Sequence, residues 1–196
     1  FWTVARTAAC LGRRAGRRKP LPALLYFTDP VRTPDPEAAA ARLIRGSAIV
    51  YRAFGAADAQ AVDLRLKEIA RRRGLKLLIS ADEALAARVG ADGVHLPERL
   101  APRAVRIRAK HPNWLITAAA HGPRAARAQV DAGVGSAIFP SNSPSAGGPL
   151  GPLRLARIVS AARSPVYALG GVNQTTAARL LATGVVGIAG VEVFGI

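Results

Sequence analysis

Short apolar runs alternate along the chain with longer stretches rich in alanine and arginine. Residues 24–29 (LLYFTD) predict a first strand closing on Thr28 and Asp29. Pro30, Pro34 and Pro36 mark a loop, and residues 37–45 predict a helix that stops at Gly46. Residues 48–54 (AIVYRAF) predict the second strand. A helix follows from Asp58, an N-cap residue type, to Arg73, with Gly74 as its stop. Strand three is expected at 76–80 with a short helix to Val89, and strand four at 93–96 (GVHL) with a helix over 99–110 ended by Pro112. Strand five is expected at 115–121 (LITAAAH), followed by a helix from Arg124 to Ala132 and a break at Gly133. Strand six is then expected at 136–139 (SAIF). A polar Pro/Gly-rich loop over 140–151 leads to a helix ending near Arg163. Strand seven (166–171, VYALGG), a helix over 174–182 and strand eight (186–190, VGIAG) complete the pattern.

Strands that alternate with helices of this length pair in parallel through right-handed crossovers. The strands are apolar throughout rather than alternating, as expected when both faces are covered. The fold class expected is therefore α/β, a single (β/α)8 TIM barrel. An open doubly wound sheet would want a Gly-rich turn after the first strand, and LLYFTDP has none. At 196 residues the chain is short for such a barrel, for which about 250 is typical, so its loops must be lean. Residues 23–196 are assigned to the barrel and residues 1–22 to a basic N-terminal arm without a single acidic residue. That opening is transit-peptide-like in composition, but the reading adopted is a short helix or arm covering the bottom of the barrel. No methionine occurs anywhere, so the sequence is not taken as a complete translation product.

The formal charge of +16 favours anionic partners, phosphates and nucleic acid among them. However, Arg103, Arg106 and Lys110 are spaced as an outward helix face. Aromatic residues are 5% of the chain and do not interleave with the basic runs, so nucleic-acid binding is not expected. No apolar run approaches the roughly 20 residues of a membrane span, and the lone Cys10 fits a reducing, cytoplasmic setting. A homo-oligomer is left open.

In a barrel of this kind chemistry collects at the C-terminal strand ends and the loops after them. Those positions are Thr28 and Asp29, Arg52, Ser80 and Asp82, His95, His121, Ser141 to Ser145, Gly170 and Gly171 with Asn173, and Ala189 with Gly190. Glycine-bearing ends after strands seven and eight let backbone N–H groups approach an anion, which points to phosphate. The alternative is that these glycines only make tight turns. His121 is placed to shuttle protons in the mouth or to serve as a hydrogen-bonded structural group. His95, inside an apolar strand, is expected to be structural. The histidines show no ligand spacing and no carboxylate pair converges on the mouth, so neither metal nor cofactor is expected. No Gly-x-Ser-x-Gly elbow supports a serine hydrolase.

The segments LLYFTDP, GADGVHLPE, AIFPSNSPSAGGPLG and PVYALGGVN resemble the thiamine-phosphate synthase family and its TenI-type relatives, from about Leu24 to Phe194. The resemblance implies a barrel that binds a thiazole phosphate at loops seven and eight. The synthase joins it to hydroxymethylpyrimidine diphosphate with Mg²⁺ and loss of pyrophosphate. The family's Arg-x-Lys pattern falls on Arg52 and Phe54, so the lysine is missing. Its Asn-Asp pair falls on Ser80 and Ala81, with Asp82 one place late. Its second metal-binding aspartate falls near Arg99 or Leu100, where only Glu98 is acidic. Ala119 replaces a serine, and Ser141-Asn142-Ser143-Pro144 replaces a Thr-x-Thr-Lys loop. What remains is the phosphate half, Gly170, Gly171, Asn173, Ala189 and Gly190, with Arg52, Ser141 and Ser143 as further binding groups. His121 matches the proton-transferring histidine of TenI-type thiazole tautomerases. The resemblance therefore implies an isomerase acting on a thiazole phosphate without a cofactor. A divergent synthase, which would need Mg²⁺, and a non-catalytic phosphate-binding barrel stand as alternatives.

Overall fold

The computed structural model describes residues 2–14, 21–122, 125–141 and 147–192. Eight parallel strands close in sequence order: β1 (Leu24–Phe27), β2 (Ala48–Tyr51), β3 (Lys76–Ser80), β4 (Gly93–Leu96), β5 (Leu115–Ala119), β6 (Ala132–Gly135), β7 (Val166–Leu169) and β8 (Gly187–Gly190). β8 returns to pair with β1, Leu25 opposite Ala189, so no strand edge is left open. The expected (β/α)8 barrel is the fold observed.

Among the described residues six α-helices surround or precede these strands: α1 (Trp2–Arg14), α2 (Pro36–Ala41), α3 (Ala59–Arg73), α4 (Glu83–Arg88), α5 (Ala104–Lys110) and α6 (Gly151–Ala161). Gly74 closes α3 in a left-handed conformation, φ 65°, and its N–H reaches the Ala70 carbonyl. The helix expected over 124–132 is reduced to a 3₁₀ turn at Ala125–Arg127, and that over 174–182 to one at Ala177–Leu180. Within the basic opening, α1 buries Val4, Ala8 and Leu11 and packs against β8 and the Ala177–Leu180 turn.

The sixth strand lies four residues earlier than expected. Its Ala-Gly-Val-Gly is nearly devoid of bulk, yet Thr117 pairs with Ala132 and Val134 with Tyr167. Ile138 and Phe139, the apolar residues that drew the expectation, are buried beyond the strand end. Their amides donate to the carbonyls of Leu169 and Gly170.

Alternate strand residues fill the interior, among them Leu25, Phe27, Val50, Leu78, Val134 and Tyr167, while the intervening residues pack outward under the helices. Tyr167 is the largest plug, with its hydroxyl donating to the Pro22 carbonyl at 2.5 Å. Gly187 makes room for it, because a Cβ there would sit 2.6 Å from the Tyr167 ring and 2.5 Å from the Ala23 carbonyl.

One buried group opposes the fold. Asp63 on α3 is wholly buried, and neither carboxylate oxygen has a hydrogen-bond partner among the described residues. Burial, reinforced by the charge of Asp82, raises its pKa from 3.8 to about 7. The folded state thus holds a proton that the unfolded chain releases near pH 4, so stability falls as pH rises from there through about 7. Asp63→Asn is expected to melt several degrees above the wild type at pH 8, with the gap closing by pH 5. A gap equal at both pH values in thermal melts would remove the buried-acid explanation.

Candidate active site at the barrel mouth

The C-terminal ends of the strands open onto one cavity of about 660 Å³. Lining residues come from β1, β7 and β8 and from the loops after β1, β2, β5, β6, β7 and β8. On one side stands a charge cluster. Arg52 donates from its backbone N–H to Thr28 Oγ1 at 2.9 Å and from Nε to the Thr28 carbonyl at 2.6 Å. Its Nη2 reaches Asp29 Oδ2 at 3.1 Å, and its guanidinium lies 5.8 Å from the Phe27 ring centre and 5.0 Å from that of Phe54. Asp29 Oδ1 accepts the amides of Val31 and Arg32, a turn that folds Arg32 back so that its Nη2 shares Oδ2 at 3.2 Å. Burial alone would raise the Asp29 pKa, but the Arg32 and Val31 hydrogen bonds and the Arg32 charge outweigh it and hold the carboxyl below its usual range. Burial lowers the Arg52 pKa, Asp29 opposes that and Arg32 adds to it. Arginine nevertheless remains charged.

His121 lies two residues beyond β5, almost across the barrel from β1. Its N–H donates to Glu98 Oε2 at 2.9 Å, and Nδ1 is 3.2 Å from Ser136 Oγ and 3.3 Å from the Ser136 carbonyl. The Nδ1 edge is thereby held, while Nε2 has no protein partner among the described residues. His95 is different. It is buried inside the barrel with Nδ1 3.0 Å from Thr117 Oγ1 and its ring edge-on to Phe27. Burial, with the charges of Arg52 and His121, lowers its pKa to about 3, so it stays neutral at ordinary pH. The structural role expected for it matches this environment.

After β7, Gly170 and Gly171 adopt φ values of 96° and 65°, which side chains rarely tolerate. A Cβ on Gly171 would sit 2.3 Å from the Pro140 carbonyl, so this glycine is required by the close approach of the loop after β6. Among the described residues the turn leaves the amides of Gly171 and Val172 without protein acceptors. The amide of Val191, just past β8, is likewise without one, and all three residues line the cavity. Unpaired N–H groups lining one cavity are the kind of donor set that an anion nest uses. Asn173 and Gly190 also line it, though Asn173 Oδ1 accepts from the amides and hydroxyls of Thr175 and Thr176, which makes it a turn-former. Ala189 is wholly buried in β8 and does not reach the cavity, because alternation along the strand turns it into the interior. Ser141, Gly147 and Gly148 line the mouth from the long loop. Ser143 falls outside the described residues.

The mouth also holds Arg32, Ser136 and Val191, which the sequence pattern did not single out. Arg32 was one among 28 lysines and arginines. Its signal was the Asp29-Pro30 pair, which nucleates a turn returning the chain to the strand end. Ser136 was absorbed into the misplaced sixth strand. The donor set does not fit the divalent ion that a synthase requires. Ala81 and Leu100 offer no oxygen side chain, Asp82 Oδ1 caps α4 through the Leu85 amide, and Glu98 binds the His121 amide. Among the described residues no three His, Cys, Asp or Glu side chains cluster as a metal site. Ala81 nonetheless keeps φ 63°, a conformation that asparagine and aspartate tolerate better than alanine.

Residues 26–194 match the family described as thiamine monophosphate synthase. The chain is 37% identical over 130 residues to the thiamine biosynthesis bifunctional protein ThiM/ThiE of Symbiobacterium thermophilum, covering 64% of this chain and 27% of that protein. It is 33% identical over 157 residues to the thiamine-phosphate synthase of Chloroflexus aurantiacus, covering 76% of this chain and 72% of the relative. It spans less than two thirds of the length of several other relatives. Among solved structures it superimposes on a thiamine phosphate pyrophosphorylase from Pyrococcus furiosus with a TM-score of 0.74 and 27% identity, covering 88% of this chain and 87% of that one.

Gly171→Ala must displace the Pro140 carbonyl or strain the turn. It is expected to cost about 2 kcal/mol, a fall of roughly 4–8 °C in Tm, and to weaken binding of inorganic phosphate. Thermal melts with and without phosphate check both.

Proposed function

The chain belongs to the thiamine monophosphate synthase family, and on that footing we propose that it is a TenI-type thiazole tautomerase with His121 as its acid/base. The phosphate of the ligand would lie on the amides of Gly171, Val172 and Val191, which have no protein acceptor among the described residues. The ring would then extend toward His121, whose Nδ1 edge is held by Ser136 and whose Nε2 is unpartnered. Nε2 takes a proton from a ring carbon, and the imidazolium returns it to the exocyclic carbon. Atoms and charge balance, and the ring becomes aromatic. One positioned imidazole suffices for such a transfer. The observation that carries this reading is the pairing of an intact anion nest and histidine with a replaced diphosphate and metal half at Phe54, Ala81 and Leu100.

The names of the relatives favour a second reading, a divergent thiamine-phosphate synthase. It would draw on Arg52, Asp82, Glu98 and the serine-bearing loop. Asp82 and Glu98 are already engaged, and displacing them would uncap α4 and release the His121 backbone.

Two assays decide between them. The protein is expected to isomerise a thiazole carboxylate phosphate at the same rate with EDTA as with Mg²⁺, and to form no thiamine phosphate from thiazole phosphate and hydroxymethylpyrimidine diphosphate. His121→Gln is expected to lose about 10²–10⁴-fold in turnover while its Kd for the thiazole phosphate stays unchanged. Mg²⁺-dependent formation of thiamine phosphate would establish the synthase instead.

A further inference from the structure

We infer that Arg32 and Arg52 form a second anion subsite in the mouth, apart from the glycine turns, that takes a carboxylate on the ligand's ring. The inference rests on the reading above and names what that reading left open, how a ring acid would be distinguished.

Two guanidinium groups share a single carboxylate oxygen, Asp29 Oδ2, so the cluster carries one positive charge in excess. Its side chains are only 20%, 25% and 17% exposed for Arg32, Arg52 and Asp29, which limits screening by water. Several donors remain unused. Arg52 engages Nε and Nη2 but not Nη1, and Arg32 engages Nη2 but neither Nε nor Nη1. Both residues line the same cavity as His121 and the glycine turns. Arg52 is held by the Thr28 carbonyl and flanked by the Phe27 and Phe54 rings, so little further ordering is needed to present its free edge.

Strand order sets the geometry. β8 lies next to β1 in the barrel and β7 one strand further round, so the glycine turns flank the arginine corner, while β5 lies across from β1. A ligand whose phosphate sits on the nest can therefore place one edge of its ring toward His121 and the other toward the arginines. A second phosphate would meet the same positive charge. However, Phe54, 65% exposed, sets its ring 5.0 Å from the Arg52 guanidinium. A compact, planar acid suits a fork of guanidinium donors beside aromatic rings better than a bulky diphosphate does. A carboxylate held there would also draw charge away from the adjoining carbon as His121 removes its proton.

The test is isothermal titration with three probes: the thiazole ethyl phosphate, its ring-carboxylated counterpart, and hydroxymethylpyrimidine diphosphate. Wild-type protein is expected to bind the carboxylated phosphate about tenfold tighter than the uncarboxylated one, the scale of a charge-assisted bond. Arg32→Gln, a change in a loop, should erase that ratio and leave the uncarboxylated phosphate within about twofold of wild type, with Arg32→Lys restoring part of it. If both thiazole phosphates bind and Arg32→Gln leaves their ratio unchanged, the subsite is overturned and the tautomerase reading survives. Loss of diphosphate binding alone in Arg32→Gln would also overturn the carboxylate assignment. Failure of either thiazole phosphate to bind the wild type would overturn both.

Discussion

Closing eight very short parallel strands leaves an interior that must be filled without leaving polar groups unpaired, and this barrel meets that demand around one residue. Tyr167 occupies the lower interior, its hydroxyl bonded to the Pro22 carbonyl and its ring lying where any Cβ at position 187 would stand. Two half-buried carboxylates help fix the strands at their N-terminal ends. Asp92 Oδ2 accepts the Leu77 amide and Asp131 Oδ2 accepts the Ile116 amide, while Lys67 and Arg108 neutralise them from the helical layer. With register held from below, the strand ends above are free to carry residues chosen for chemistry. Close packing makes the lower half intolerant of change and leaves the loops tolerant.

Above that floor the polarity changes in layers. His95 and Thr117 form a neutral pair inside the barrel, kept neutral because burial lowers the histidine pKa to about 3. Directly over them sit the Arg52–Asp29–Arg32 cluster, the His121–Ser136 pair and the turn at Gly170 and Gly171, all at one opening. A neutral histidine beneath a cationic cluster avoids stacking two positive charges in a low-dielectric site.

The family is legible in what persists and the divergence in what does not. The glycine turns, His121 and Arg52 line one mouth, whereas Phe54 and Ala81, where the resemblance implies charged residues, adopt left-handed backbones. Backbone conformation is set by strand pairing and loop length, so it outlasts the side chains that once suited it. Arg52, deprived of a neighbouring lysine, is flanked instead by two aromatic rings. That exchange alters what charge the mouth can accept without altering the barrel.

The sequence alone determined the barrel, because eight apolar runs spaced by amphipathic stretches allow few other ways to bury both faces of a parallel sheet. It also determined the strand ends as the place to look, and with them His121, Arg52 and the glycine turns. Tertiary structure decided the rest. It moved β6 onto Ala132–Gly135, since pairing with Thr117 and Tyr167 outweighs the pull of Ile138 and Phe139, which pack elsewhere. It turned Ala189 inward, engaged Asn173 in its own turn, and brought Arg32 to the mouth through the Asp29 turn. Periodicity reports which residues avoid water, and it carries no record of which polar atoms meet. Those meetings depend on distances between segments far apart in the chain, and they exist only once the barrel is closed.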